Sequence, residues 1–152
     1  MTFTVAMDKN NMVLDTSGGL PTLAITIGTT VVQASYASNT TNNIKFNYTI
    51  LAGQTDTDGI TMNANGVSYN GSVYKDAYGN LASIAYSAST DANYLVDTTR
   101  PTLTITSSAN ALLVGQTANI TFTFSEDIGT SFDTADIVVT NGTLSGFAGT
   151  GT

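Results

Sequence analysis

The sequence predicts an all-β protein built as an antiparallel β-sandwich, and two observations carry this prediction. Short segments alternate apolar and polar residues, as in Ile44-Lys45-Phe46-Asn47-Tyr48, and such alternation is typical of a half-buried strand. Turn-forming pairs such as Asn65-Gly66 and Asn70-Gly71 separate these segments roughly every 8–12 residues. No segment keeps a helical period long enough to favour a helix.

Composition supports the same fold class and limits the classes of partner. Charged residues make up 10% of the 152 residues, well below the usual share, and hydrophobic residues make up 41%. Threonine, serine, asparagine and glycine suit strands and turns. The 11 acidic residues outnumber the 4 basic ones, which gives a net charge of −7. A negative surface repels phosphate, so we expect no nucleic acid partner and no anionic membrane.

The residues that are missing argue against an enzyme. The chain has no cysteine and no histidine, which excludes disulfides, thiolate metal sites and the usual Ser/His and Cys/His nucleophiles. A carboxylate pair such as Asp56 and Asp58 could hydrolyse a glycoside, but nothing marks a general acid. No apolar run approaches the ~20 residues of a membrane helix, so we expect no membrane insertion. No signal-peptide pattern is visible at the start.

The alternation is interrupted at residues 96–101 and restarts after them. We therefore predict a first unit at residues 1–96, a junction at 97–101 and part of a second unit at 102–152. The strands predicted for the first unit are 2–7, 12–14, 22–27, 31–37, 44–50, 60–62, 67–69, 73–74, 81–86 and 94–96. Those predicted for the second unit are 102–106, 111–114, 120–124, 137–139 and 143–147.

The junction Asp97-Thr98-Thr99-Arg100-Pro101 resembles the D-T-T-x-P sequence between bacterial immunoglobulin-like repeats of large secreted adhesins and biofilm proteins. Asp76-Ala77-Tyr78-Gly79-Asn80 before it and Phe122-Thr123-Phe124-Ser125-Glu126 after it also resemble motifs of such repeats. The resemblance implies an immunoglobulin-like β-sandwich followed by a partial second one. It implies a non-enzymatic structural or adhesive repeat, secreted or on the bacterial cell surface, with neighbouring repeats in a longer chain as partners.

The chain also departs from the pattern of this family. Repeats of the type that the first unit resembles usually begin with an extra strand before the Phe3 segment, and they commonly read Phe-Ser-Glu where this chain has Ala6-Met7-Asp8. The second unit lacks the C-terminal half of a repeat. These departures predict exposed strand edges, which tend to pair with other strands. Residues 102–124 could complete the first unit by folding back, or complete it in a neighbouring chain as a strand-swapped homo-oligomer.

Six side chains are candidate ligands for Ca²⁺, which prefers carboxylate and carbonyl oxygens. They are Asp56, Asp58, Asp76, Asn80, Asp97 and Glu126. Residues 54–59 invite comparison with a calcium-binding EF-hand loop, but Gln54 and Asn65 occupy its first and twelfth ligand positions, which argues against an EF-hand and leaves a looser calcium site open.

Each candidate pair has its own rationale. Asp56 and Asp58 would face the same side of an extended segment, although a solvated acidic turn would look the same. Asp76 and Asn80 bracket one loop, where either could instead cap the turn. The family resemblance implies Asp97 and Glu126 as junction ligands, where calcium would stiffen the rod.

The tyrosines leave carbohydrate binding open as a second class of function. Aromatic faces can stack on the apolar faces of sugars, and Tyr78 stands in a loop before Gly79, where we expect exposure. The alternatives to a structural repeat are a carbohydrate-binding module, with a glycan or host-surface ligand, and an accessory β-domain of a secreted hydrolase.

Overall fold

The computed structural model describes residues 1–7, 9–149 and 151, and it divides the chain into two compact units, Met1–Thr99 and Arg100–Thr152. Asp8, where the chain departs from the family's Phe-Ser-Glu pattern, lies outside the described residues, as do Thr150 and Thr152. Within the described residues the secondary structure is all strand, apart from one 3-10 turn at Thr134–Asp136. No helix in this part of the chain could span a membrane.

The first unit contains ten strands within the described residues. In chain order they are β1 (Thr2–Ala6), β2 (Val13–Asp15), β3 (Thr22–Ile27), β4 (Thr30–Asn39), β5 (Asn43–Asn47), β6 (Thr55–Asp56), β7 (Ile60–Ser68), β8 (Val73–Lys75), β9 (Ser89–Asp91) and β10 (Val96–Asp97).

These strands form one large sheet and two small ribbons, and every pairing is antiparallel. The curled six-stranded sheet has the order β1-β5-β4-β3-β7-β9. The ribbons are β2 with β8 and β6 with β10. This architecture is the predicted all-β, antiparallel immunoglobulin-like β-sandwich, and the fold class is therefore confirmed.

The core follows from the alternation in the strands. Leu23, Ile25 and Ile27 of β3 are buried, while the residues between them are half-buried on the opposite face. Cross-strand partners extend this layer, since Phe46 of β5 lies opposite Phe3 of β1 and is itself fully buried. The ribbons also contribute, through residues such as Tyr74 of β8 and Val96 of β10.

Two predictions about strands of the first unit are wrong. Asn65-Gly66 does not end a strand: β7 runs through it, with Asn65 at φ 52°. The register between β3 and β7 shifts between Leu23 and Ile25, so a bulge absorbs the irregularity. Residues 81–86 form no strand, because Tyr86 hydrogen-bonds to the bulge instead, through its N–H to Asn65 Oδ1 and its carbonyl from Asn65 N.

The second unit is built around one hairpin, β11 (Leu103–Ser107) with β12 (Ile120–Phe124). The register places apolar residues opposite each other, as in Ile105 against Phe122, and threonines opposite each other on the other face. Phe132 packs on this apolar face, with its ring centroid 5.1 Å from that of Phe122.

The remaining strands predicted for the second unit are wrong. Residues 111–114, 137–139 and 143–147 form no strand in the structure. Apolar side chains there are largely exposed, and Val138 is 90% exposed. A short apolar run becomes a strand only when a partner strand takes its backbone hydrogen bonds. Within the described part of this unit, β11 and β12 pair only with each other.

Candidate functional site

Asp56 is a buried carboxylate that joins two loops. It lies at the end of β6 and is only 3% exposed. Its Oδ2 accepts a hydrogen bond of 2.7 Å from the N–H of Gly28, in the turn between β3 and β4. Its Oδ1 accepts from the N–H groups of Gly59, at 2.6 Å, and Asp58, at 3.2 Å. These N–H groups, that of Gly28 first, hold the pKa of Asp56 below its ordinary value of 3.8, although burial opposes them.

Asp58 does not join Asp56 in a shared ligand set. The chain bends at residues 57 and 58, so the extended segment that would align the two side chains is not formed. Asp58 is exposed, and its backbone N–H donates to the buried carboxylate. Because both oxygens of Asp56 are taken by amide N–H groups, this carboxylate acts as an anchor between the loops.

Asp76 and Asn80 do come together, and they form a capped turn. Asp76 Oδ1 accepts from the N–H groups of Tyr78 and Asn80, both at 2.9 Å, and Oδ2 accepts from Asn80 Nδ2 at 2.9 Å. The Nζ of Lys9 lies 4.0 Å from Oδ2. The Asn80 side chain first, and Lys9 least, lower the pKa of Asp76. In the structure, Asp76 and Asn80 therefore cap this turn, which was the alternative to a calcium site.

A shallow depression of about 580 Å³ lies over this turn. Asp76, Tyr78 and Asn80 line one side of it, and residues 9–11 line the other. Sequence reasoning missed Lys9 and its neighbours, because their approach depends on the pairing of β2 with β8, which are far apart in the chain. Tyr78 is 92% exposed, as expected for its loop.

Asp97 and Glu126 belong to different units. Asp97 ends β10, and its Oδ1 accepts from the N–H of Thr99 at 2.8 Å, which shapes the start of the junction. Glu126 follows β12 in the second unit. Its Oε1 is shielded from solvent and has no hydrogen-bond partner among the described residues. A shielded carboxylate oxygen without a donor is unfavourable unless a donor or a cation reaches it.

Across the described residues, no three acidic side chains converge in a group that could hold a metal ion. The structure thus assigns turn-forming or anchoring contacts to Asp56, Asp76 and Asp97. Calcium remains a prediction for this chain.

Comparison with known proteins identifies the C-terminal part of the chain. Residues 97–152 match the family model of the bacterial Ig-like domain. This part of the chain, from residue 97 to residue 152, is similar to bacterial Ig-like domains. The match begins at Asp97, the first residue of the predicted junction, and it confirms the family resemblance drawn from the sequence. No curated protein and no solved structure matches the chain.

Bacterial Ig-like domains are typically non-catalytic structural modules, and they commonly occur in extracellular or surface proteins. The part of the chain that matches this family directly follows a β-rich unit with its own apolar core. The chain therefore contains two β-units in succession, and the second is the part that is similar to bacterial Ig-like domains.

Proposed function

We propose that this chain is a non-enzymatic repeat that extends an adhesin from a bacterial cell surface, with calcium stiffening it. The observation that carries the proposal is the bacterial Ig-like match at residues 97–152, immediately after a separate β-unit with its own apolar core. Tandem β-units of this kind lengthen a protein without adding chemistry. We expect neighbouring Ig-like repeats as its partners in a longer chain.

The acidic side chains support a structural role over a catalytic one. A general acid needs a carboxyl with a raised pKa, whereas the pKa values of Asp56 and Asp76 are lowered by hydrogen bonds. Those hydrogen bonds come from loop N–H groups, or from Asn80, and therefore shape turns. We infer that the chain is not an enzyme.

Gene context tests the adhesin proposal. The gene that encodes this chain should carry further Ig-like repeats and a secretion or surface-anchoring signal. Antibodies raised against the chain should label intact bacterial cells, and protease added outside the cells should remove the label. Label that appears only after lysis would contradict surface location.

Two observations support the calcium part of the proposal. The chain carries an excess of carboxylates, with 11 acidic and 4 basic residues. Glu126 holds one carboxylate oxygen out of solvent, with no hydrogen-bond partner in the described part of the chain. A bound cation would neutralise part of this charge and satisfy that oxygen.

A melting experiment tests the calcium part. For a dissociation constant of about 1 mM, typical of extracellular modules, 10 mM Ca²⁺ should stabilise the chain by about 1.4 kcal/mol. For units of this size that raises the melting temperature by roughly 5–10 °C, and a chelator should reverse the shift.

Glu126→Gln and Asp97→Asn should each reduce the shift, because each removes a negatively charged ligand. The same concentration of Mg²⁺ is the control for screening of the chain's net negative charge. No shift with Ca²⁺, or the same shift with Mg²⁺, would show that specific calcium binding is absent.

A further inference from the structure

We propose that the depression beside Tyr78 is a binding site for a neutral hexopyranose unit of a glycan. The site, called the Tyr78 site below, consists of Lys9, Asn10 and Asn11 from one loop and Asp76, Tyr78 and Asn80 from another. It goes beyond the structural role proposed above and does not depend on calcium. A repeat with this site would contact a sugar as well as extend the adhesin.

The fold brings the two loops of the Tyr78 site together. The loop at 9–12 leads into β2, and the loop at 76–80 leaves β8. Because β2 and β8 are antiparallel, with Val13 opposite Lys75, the start of one strand and the end of the other meet at the same end of the ribbon. Tyr74, fully buried in β8, fixes this ribbon to the core through a hydrogen bond of 2.9 Å to the Thr40 carbonyl. The site therefore rests on a rigid base.

Tyr78 supplies the stacking surface. Its side chain is 92% exposed, so it contributes little to the core, yet its backbone is held by the hydrogen bond from its N–H to Asp76 Oδ1. Because the turn fixes its backbone, binding has to order only the side-chain torsions of Tyr78. Its face can cover the apolar C–H face of a pyranose ring, while the phenol hydroxyl stays in water.

Polar groups surround this ring on the other side of the depression. The side chains of Lys9, Asn10 and Asn11 are exposed, so their ammonium and carboxamide groups are available to sugar hydroxyls. Asn80 donates its Nδ2 to Asp76, which leaves its carbonyl oxygen as an acceptor. An apolar platform beside a few amides, within a volume of about 580 Å³, is what one or two sugar rings need.

Charge decides between neutral and anionic sugars. Lys9 faces Asp76 at 4.0 Å, so these two opposite charges offset each other. The whole chain has a net charge of −7, which disfavours the approach of sialic or uronic acids. The geometry therefore points to uncharged pyranosides as the ligand class.

A glycan array with the full chain tests the Tyr78 site, followed by titration with the methyl glycosides of glucose, galactose, mannose and N-acetylglucosamine. We expect millimolar binding of at least one neutral glycoside. Tyr78→Ala should weaken it by roughly tenfold or more, whereas Tyr78→Phe, which keeps the ring, should bind within about twofold of the parent chain. Tyr94→Ala, which removes another exposed tyrosine outside the site, should bind like the parent chain.

Three outcomes would overturn the proposal: no neutral glycan bound, only anionic glycans bound, or equal binding by Tyr78→Ala. Tyr78→Ala should melt at the same temperature as the parent chain, since the side chain is exposed. That result separates loss of a sugar contact from loss of the fold. The surface-repeat proposal would stand if the glycan test failed, because it rests on the family match and not on Tyr78.

Discussion

Asp56 stabilises a buried charge in this acidic chain with backbone N–H groups alone. Removing a carboxylate from water is unfavourable unless hydrogen bonds replace the lost solvation. Three N–H groups do so here, from Gly28, Asp58 and Gly59, at 2.6–3.2 Å. Hydrogen bonds to an ionised acceptor are stronger than neutral ones, so one side chain can hold two loops of the sandwich together.

Asp56→Asn should destabilise the first unit. The amide keeps one acceptor but directs an N–H₂ group toward a backbone N–H, which leaves a donor unpaired in a buried place. We expect the free energy of unfolding to fall by about 1–3 kcal/mol at pH 7, measured by urea denaturation. Asp58→Asn is the matched control, because Asp58 is exposed, and it should change stability by less than about 0.5 kcal/mol.

The stability difference between the parent chain and Asp56→Asn should depend on pH. The pKa of Asp56 is lowered on folding, so its contribution is complete above the unfolded value of about 3.8. The contribution is lost as pH falls through the lower folded-state pKa. The difference in stability between the parent chain and Asp56→Asn should therefore be constant from pH 7 to about pH 5 and shrink below about pH 4. A difference that stayed constant down to pH 2 would show that the charge of Asp56 is not what stabilises the loops.

At the scale of elements, alternation predicted β3 and β5 correctly, but it did not predict that β7, also inside the sheet, runs through Asn65-Gly66. β3 and β5 have strand neighbours on both sides, and the predicted inward residues Ile25 and Phe46 are both fully buried. Alternation failed for residues 137–139, which pair with no strand among the described residues. It failed for residues 81–86 because isolated contacts with Tyr74, Lys75 and Asn65 replace a continuous ladder. The partner is decided by tertiary structure, which a local pattern does not contain.

In the candidate sites, contacts between residues close in the chain were predictable from the sequence, and contacts between distant residues were not. The loop formed by Asp76 and Asn80 was predictable, since its contacts lie within five residues of chain. The approach of Lys9 was not, because it requires β2 to pair with a strand about sixty residues later. The anchoring role of Asp56 was hidden for a similar reason, since its first partner is Gly28.

Gly59 marks a close approach between elements that only glycine permits. It lies just before β7 at φ 103°, and an added Cβ would lie 2.6 Å from Ala92 Cα and even closer to the carbonyl oxygen of Asp91, at the end of β9. Gly59→Ala should therefore push β9 away from β7, in addition to straining the backbone. We expect the free energy of unfolding to fall by roughly 3 kcal/mol or more.

Gly53→Ala separates strain from steric clash. Gly53 also has a positive φ, of 84°, but nothing lies within 4 Å of an added Cβ. Its replacement should cost only the left-handed conformation, about 1–2 kcal/mol. Urea denaturation of both variants checks the comparison, and equal losses would mean that the contact with β9 has no energetic consequence.

At the scale of the whole molecule, the two units differ in what they bury. Every buried residue of the apolar core belongs to the first unit, from Phe3 to Val96. In the second unit none of the described residues is buried, and its hairpin leaves Ile105 57% exposed. A two-stranded hairpin is only marginally stable in water, because it buries too little apolar surface to offset the entropy of ordering its chain.

Hydrogen exchange on the full chain should therefore divide it in two. Amide protons of β3, β4 and β5 are in the interior of the six-stranded sheet and should exchange only on global unfolding, over hours or longer. Amide protons of β11 and β12 should exchange orders of magnitude faster, because opening the hairpin exposes little additional apolar surface. Mass spectrometry of peptides from both regions, in one sample at pH 7, provides an internal control.

Slow exchange in β11 and β12 at micromolar concentration would show that another strand covers the hairpin. If that protection disappeared on dilution, the covering strand would come from a second copy of the chain.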